Sequence, residues 1–217
     1  MNLSGKVCVI TGASSGIGKS LSINLASKGA SVVLAARRNS KLDSIINKIE
    51  QSGGQAIGIK TDITKNIECK NLIDETINQY GKIDLLLLGA GISMWTPFEE
   101  ISDISFFKDL MDTNYTGAVH CIYAALPHLI SSKGMVVTCS TAQAIVGFTN
   151  HSGYAASKHA LHGFLDTLDM ELDGRVQFLE AFLGWIRGTN MRSNAFGPGG
   201  KKMGESKRKH SKNSVDV

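Results

Sequence analysis

The chain has 217 residues, a formal net charge of +4, 42% hydrophobic residues and 19% charged residues. That balance suits one globular domain with a real core, and it is neither that of a disordered chain nor membrane-like. The charge is uneven: residues 201–217 hold six Lys/Arg (Lys201, Lys202, Lys207, Arg208, Lys209, Lys212) against Glu205 and Asp216, leaving 17 basic and 17 acidic groups in the first 200 residues. The basic balance therefore belongs to the C-terminal stretch, as a solvated tail, a docking segment or a nuclear address, and does not indicate a nucleic-acid-binding fold.

The elements alternate from the start. Lys6 to Ile10 is a short apolar run, as expected of a parallel strand covered on both faces. A glycine turn follows, then a helical period from Ile17 to Lys28 that stops at Gly29. Ser31 to Ala36 is the second strand, and Ser40 to Gln51 a helix with Leu42, Ile45, Ile46 and Ile49 on one face. Gln55 to Lys60 is the third strand, Asn66 to Tyr80 the next helix, and Ile83 to Leu88 the fourth strand. After a loop containing Pro97, one long helical stretch is expected from about Ile104 to Ile130, with a bend at Pro127. Gly134 to Cys139, Tyr154 to Leu172 and Val176 to Phe182 complete the pattern as strand, helix and strand. The implied fold class is α/β, a doubly wound parallel sheet or Rossmann fold in one domain, possibly lacking a last helix and strand. Residues 1–189 are expected to form the main domain, which carries the two motifs described below, and residues 190–217 a flexible flap and basic tail.

The longest apolar run, around Leu85 to Leu88, is too short to span a bilayer. Met1 to Gly5 leads straight into a strand with no signal segment before it, so a cytoplasmic location is expected. The four cysteines, Cys8, Cys69, Cys121 and Cys139, form no CxxC or Cys/His ligand spacing, which argues for a reduced interior and against zinc. His151, His159 and His162 lack the further ligands that a metal site needs, so none is expected.

Two motifs carry chemistry. Thr11-Gly12-Ala13-Ser14-Ser15-Gly16-Ile17-Gly18 sits between the first strand and the first helix. There Gly12 permits a tight turn and clears a Cβ from the phosphate path, Gly16 lets backbone approach a pyrophosphate, and Gly18 lets the helix pack close. The helix N-terminus offers N–H groups and a partial positive charge to the diphosphate. The second strand ends at Ala36-Arg37, where an acid would select NAD. A guanidinium pairs instead with a 2′-phosphate, so Arg37 points to NADP. Further on, Tyr154 and Lys158 lie four apart on one helical face. An ammonium beside a phenol favours the phenolate and brings the tyrosine toward working pH as a general acid/base.

These residues, taken in order with Asp62, Asn114, Ser140 and Thr189, make the chain resemble the short-chain dehydrogenase/reductase family over nearly its whole length. The resemblance implies that Ser14, Ser15 and Ile17 share the cofactor turn and that Asp62, with Ile63 beside it, holds the adenine. It implies that Ala90 and Gly91 line the cofactor, that Lys158 also holds the nicotinamide ribose, and that Thr189 reaches the carboxamide. Ser140 would orient the substrate oxygen, and Asn114 would support a water relay to Lys158. A homodimer or homotetramer is implied, through faces such as Phe107/Leu110/Met111 and Leu161/Leu165/Leu168, although the core could equally claim them.

The chain departs from the family in places. Leu88-Gly89-Ala90-Gly91 stands where Asn-Asn-Ala-Gly is usual, so the asparagines' polar contacts are expected to be missing. Leu183-Gly184 replaces a Pro-Gly pair, and the sixth strand is expected to be an open edge. The leading reading is an NADP-dependent carbonyl/alcohol oxidoreductase. Its substrate would be a small hydrophobic carbonyl or alcohol, held by Met94, Trp95, Ile145, Val146 and Phe148. The alternative is a non-catalytic NADP-binding regulatory protein.

Overall fold

The structure is a computed structural model that describes residues 2–204 and 214–217. Six parallel strands, β1 (Val7–Thr11), β2 (Ser31–Ala36), β3 (Gln55–Lys60), β4 (Leu85–Leu88), β5 (Met135–Thr141) and β6 (Gln177–Leu183), form one sheet in the order β3-β2-β1-β4-β5-β6. They are joined by helices α1 (Gly16–Ser27), α2 (Asn39–Gln51), α3 (Asn66–Tyr80), α4 (Phe106–Met111), α5 (Gly117–Ser132) and α6 (Ser152–Leu172). The apolar run of β1 has the cause inferred from sequence: both of its faces are covered, so alternate side chains enter different cores. Val9, Val33, Leu86 and Val136 pack against α3, α5 and α6. Cys8, Ile10, Val32, Leu34 and Leu87 pack against α1 and α2. Among the described residues, no helix is long and apolar enough to cross a membrane.

Three features differ from the sequence expectation. The long helix is interrupted: α4 ends at Met111, a π turn occupies Asp112–Thr116, and α5 begins at Gly117. The wider turn carries Asn114 inward, where it is 2% exposed. Apolar periodicity cannot register that displacement, because the residue it buries is polar. Pro127 lies inside α5, which continues to Ser132.

The stretch expected to form a flap from Asn190 is tied down as far as Gly204. Phe196 donates its N–H to the Ser93 carbonyl (2.8 Å), accepts from the Trp95 N–H (2.9 Å) and stacks on Phe106 at 5.0 Å. A short ladder pairs β7 (Ile186–Arg187) with β8 (Val215–Asp216). The basic residues at 207–209 and 212 lie outside the described residues.

Leu110, Leu161 and Leu165, which either an intersubunit face or the core could claim, are buried in the single chain's core. β6 stands at the sheet edge as expected, with Leu179 and Phe182 exposed.

Candidate active site

All six strands end at one edge of the sheet, and the order reverses between β1 and β4. The chain leaving those two strands turns to opposite faces and opens a crevice between them. The glycine turn forms one lip of that crevice. Gly12 and Gly16 adopt φ of +68° and +53°, a region that favours glycine. A Cβ on Gly12 would sit 2.7 Å from the Ala90 backbone, and one on Gly18 would sit 2.6 Å from the Gly12 carbonyl oxygen. Gly12 is thus required by the neighbouring strand end, whereas Gly18 serves close helix packing.

The same crowding bears on the missing asparagines. A Cβ on Gly89 would meet the Thr11 carbonyl oxygen at 2.8 Å. The Thr11 hydroxyl instead stitches the two strand ends, accepting from the N–H groups of Gly89 (3.1 Å) and Ala90 (3.3 Å) and donating to the Leu87 carbonyl. Gly91 faces the Asn114 side chain.

The rim of the turn is electropositive. Ser15 caps α1 without a side-chain cap bond, and no acidic residue stands in the first turn, where Ile17 lies. A groove of about 440 Å³ runs past Ser14, Ser15, Lys19, Arg38 and Lys41. Arg38 turns onto the loop, its Nη2 2.9 Å from Ser14 Oγ and 3.4 Å from Ser15 Oγ. Arg37, the expected phosphate partner, is exposed and makes no hydrogen bond or ion pair among the described residues. Three cations, uncapped helix N–H groups and a turn whose Gly12 and Gly18 have no room for a side chain fit the phosphates of a dinucleotide.

Thr189 stands over Gly16, its methyl 3.4 Å from where a Cβ would be, with its hydroxyl donated to the Ile186 carbonyl. Asp62 is at the end of β3, but its Oδ1 accepts from Thr64 N–H and Oγ. Ile63 is a core residue packed against Gly117, so only its backbone could face a cofactor.

Tyr154 and Lys158 share one face of α6 at the end of β5, and both are buried. Tyr154 packs with Met94, Phe106 and Leu110. Burial pushes its phenol up to about 12, because the phenolate loses its hydration. Lys158 donates to the Cys139 carbonyl at 3.2 Å, with Nζ 6.0 Å from the tyrosine ring centre. Its own ammonium is held below the ordinary lysine range by burial. The expected lowering of the phenol by the ammonium is therefore absent in this geometry, where desolvation dominates both groups.

Asn114 grips Ile92 twice, accepting from its N–H and donating to its carbonyl, both at 2.9 Å, and donates to Ser157 Oγ at 2.9 Å. It thereby ties the loop after β4 to the helix bearing Tyr154.

Ser140 lies near the end of β5, as expected, with its hydroxyl engaged. Its Oγ donates to Glu180 Oε1 at 2.5 Å, on the face of β5 under α6. Strand alternation places the next hydroxyl, that of Thr141, on the opposite face, where Oγ accepts from the Gln143 N–H. Met94 is fully buried behind Tyr154 and does not line the cleft. Ile145, Val146 and Phe148 are about half exposed beside it, and Trp95 stacks under Arg192, 4.6 Å from its ring centre.

Sequence reasoning missed Arg38, Thr141 and Glu180. The adjacent arginines and adjacent hydroxyls carried a signal, since which of two neighbours faces a site is a matter of strand phase. Glu180 is the one acid inside the apolar strand Gln177–Leu183.

The family model described as short chain dehydrogenase matches residues 6–197. The chain belongs to the short-chain dehydrogenase family. It is 40% identical over 196 residues to "11-beta-hydroxysteroid dehydrogenase-like 2" of Arabidopsis thaliana, a match covering 90% of this chain and 63% of that relative. Other curated relatives are spanned over about half their length. Among solved structures, this short-chain dehydrogenase resembles an alcohol dehydrogenase from the archaeon Thermococcus sibiricus complexed with 5-hydroxy-NADP. The TM-score is 0.80 at 25% identity, over 93% of this chain and 82% of that one. It also resembles a 7α-hydroxysteroid dehydrogenase complexed with NADH and 7-oxo glycochenodeoxycholic acid. That TM-score is 0.80 at 29% identity, over 86% and 73% of the two chains. The family and the sheet order agree on a nucleotide-binding Rossmann fold.

Proposed function

We propose that this chain is an NADP-dependent oxidoreductase that interconverts a hydrophobic ketone and its alcohol. The observation carrying the proposal is a buried tyrosine and lysine one helical turn apart, at the strand edge that also bears the cationic glycine turn. The nicotinamide, when bound, supplies or receives the hydride at the carbonyl carbon. In reduction the Tyr154 hydroxyl gives its proton to the carbonyl oxygen. In oxidation it takes the proton of the alcohol. Lys158 compensates the charge left on Tyr154, and Asn114 holds the two cleft walls in register. The Thr141 hydroxyl, whose proton is uncommitted, orients the substrate oxygen in place of Ser140. Exposed Ile145, Val146 and Phe148 give the cleft an apolar side, which suits a sterol-like or aromatic substrate. The reading places the enzyme in the cytoplasm. Pairing of copies would use outer helix surfaces, where Tyr123 and Met170 are exposed.

Steady NADPH oxidation with a panel of hydrophobic ketones tests the activity. Binding without turnover across the panel would reject it. For the cofactor, NADPH is expected to bind at least about tenfold tighter than NADH, as the loss of one charge-assisted phosphate contact implies. Arg38→Ala should erase that preference, while Arg37→Ala should leave most of it. Fluorescence titration with both cofactors reads the difference, and tighter NADH binding by the unmodified chain would reject NADP.

The two hydroxyls can be separated in the same assay. Thr141→Val should lower kcat by about 10²-fold, the scale for losing one oriented donor at the reacting oxygen. Ser140→Ala should change it by less than about threefold. The reverse ranking would return the role to Ser140.

A further inference from the structure

A second cluster of chemistry lies under α6, at the open edge of the sheet. A groove of about 220 Å³ there is lined by Thr138, His162, Asp166, Asp169 and Glu180 among apolar neighbours, and by no Lys or Arg among the described residues. His162 and Asp166 are one turn apart on α6, Asp169 follows on the same face, and Glu180 reaches in from β6. Donor atoms of His162, Asp166 and Glu180 all lie within 4.8 Å of one another.

The contacts are ordered. Glu180 Oε2 is 2.6 Å from His162 Nδ1, while its other oxygen receives the Ser140 hydroxyl at 2.5 Å. The imidazole is thus held by a carboxylate that is itself held, the arrangement that fixes a metal-ligating histidine with its second nitrogen outward. That second nitrogen, Nε2, stands 3.5 Å from Asp166 Oδ2. Two ligands about 2.0–2.1 Å from a tetrahedral ion lie about 3.3 Å apart, so the pair needs almost no movement to share one.

An independent observation points to the same groove. Thr138 faces Glu180 across the ladder and is 2% exposed, and its Oγ has no hydrogen-bond partner among the described residues. A buried hydroxyl without a partner is costly, and water carried by an ion in the groove would satisfy it. Three carboxylates, of which Glu180 also feels the buried Lys158 ammonium, favour a cation, and one imidazole nitrogen with carboxylate oxygens suits a borderline divalent ion such as Zn²⁺.

We propose that this groove is a divalent-cation site in which His162 Nε2 and Asp166 bind the ion, Asp169 and water complete its shell, and Glu180 orients the histidine. The site is separate from the dinucleotide crevice and does not depend on the proposed activity.

The test uses the full chain, stripped with a chelator and titrated with Zn²⁺ against a chromophoric chelator. About one equivalent should bind. His162→Asn should abolish that equivalent, and Asp166→Asn should weaken it at least tenfold. Glu180→Gln should weaken it by about 10–100-fold, the range for losing a carboxylate that orients a ligand. The Asp166 side chain is 63% exposed, so its replacement leaves the fold intact, and thermal melts confirm that for each variant. Co²⁺ in place of Zn²⁺ should give visible bands of an N/O site with no thiolate charge transfer. Absence of a bound equivalent, equal binding by Asp166→Asn, or a thiolate band would each overturn the proposal.

Discussion

Tyr154→Phe is expected to lower kcat by about 10²–10⁴-fold, the range supplied by a positioned general acid/base, while NADPH affinity stays within about twofold. The ring stays packed with Met94, Phe106 and Leu110, so the substitution removes one oxygen and its proton without opening the core. Circular dichroism and cofactor titration should match the unmodified chain, and only turnover should fall. Activity above about a tenth of the starting value would exclude the phenol as proton donor.

The direction of the pH dependence follows from burial. The phenol is held at about 12, so near neutral pH it carries its proton. Ketone reduction needs that proton and should be flat from about pH 6 to 9. Alcohol oxidation needs the phenolate and should rise about tenfold per pH unit over the same range. Equal profiles in the two directions would show that a bound partner resets the phenol.

The second large effect is expected at Gly12→Ala. The new Cβ meets backbone on the facing side of the crevice, 2.7 Å from Ala90 and 2.8 Å from the Gly89 carbonyl carbon, at a φ of +68°. Backbone cannot rotate aside as a side chain can. The cost combines about 1 kcal/mol or more for the left-handed backbone with about 1–3 kcal/mol for overpacking. A loss of about 3 kcal/mol lowers Tm by about 6–12 °C in a chain of this size. Cofactor binding should fall with it, because the turn must open. Gly53→Ala supplies the comparison: its φ is +77° but nothing lies within 4 Å of the added atom, so only the smaller backbone cost should appear. Equal losses in the two variants would mean that crowding against Ala90 contributes nothing.

The sheet was legible in the sequence because it rests on local rules. Ser31–Ala36 and Gln55–Lys60 are continuous or alternating apolar runs that each follow a glycine, and their bounds match those read from pattern. The glycine turn and the Tyr154/Lys158 pair were legible because spacing along a chain is itself the signal. Legibility ended wherever the answer depended on which way a side chain faces. Arg37 and Arg38, just past β2, are indistinguishable by composition, as are Ser140 and Thr141, the last two residues of β5, and in each pair neighbours point apart. Asn114 was found as a site residue, but the π turn that carries it inward was not. The acidity of Tyr154 was misjudged for a related reason: sequence displays the neighbouring lysine but not the depth at which both are buried.

Phe196 is fastened to Ser93 and Trp95 on either side and stacked on Phe106. The segment after β6 and the loop after β4 are therefore riveted into one piece. Two walls that could have parted independently must travel together, and their relative sliding is closed as a route into the cleft. Entry and exit then fall to Gly147 and Phe148, whose N–H groups make no hydrogen bond among the described residues, unlike those of Ile145 and Val146, which bond to the Ala142 carbonyl; hydrogen exchange at Gly147 and Phe148 should outpace that at Trp95.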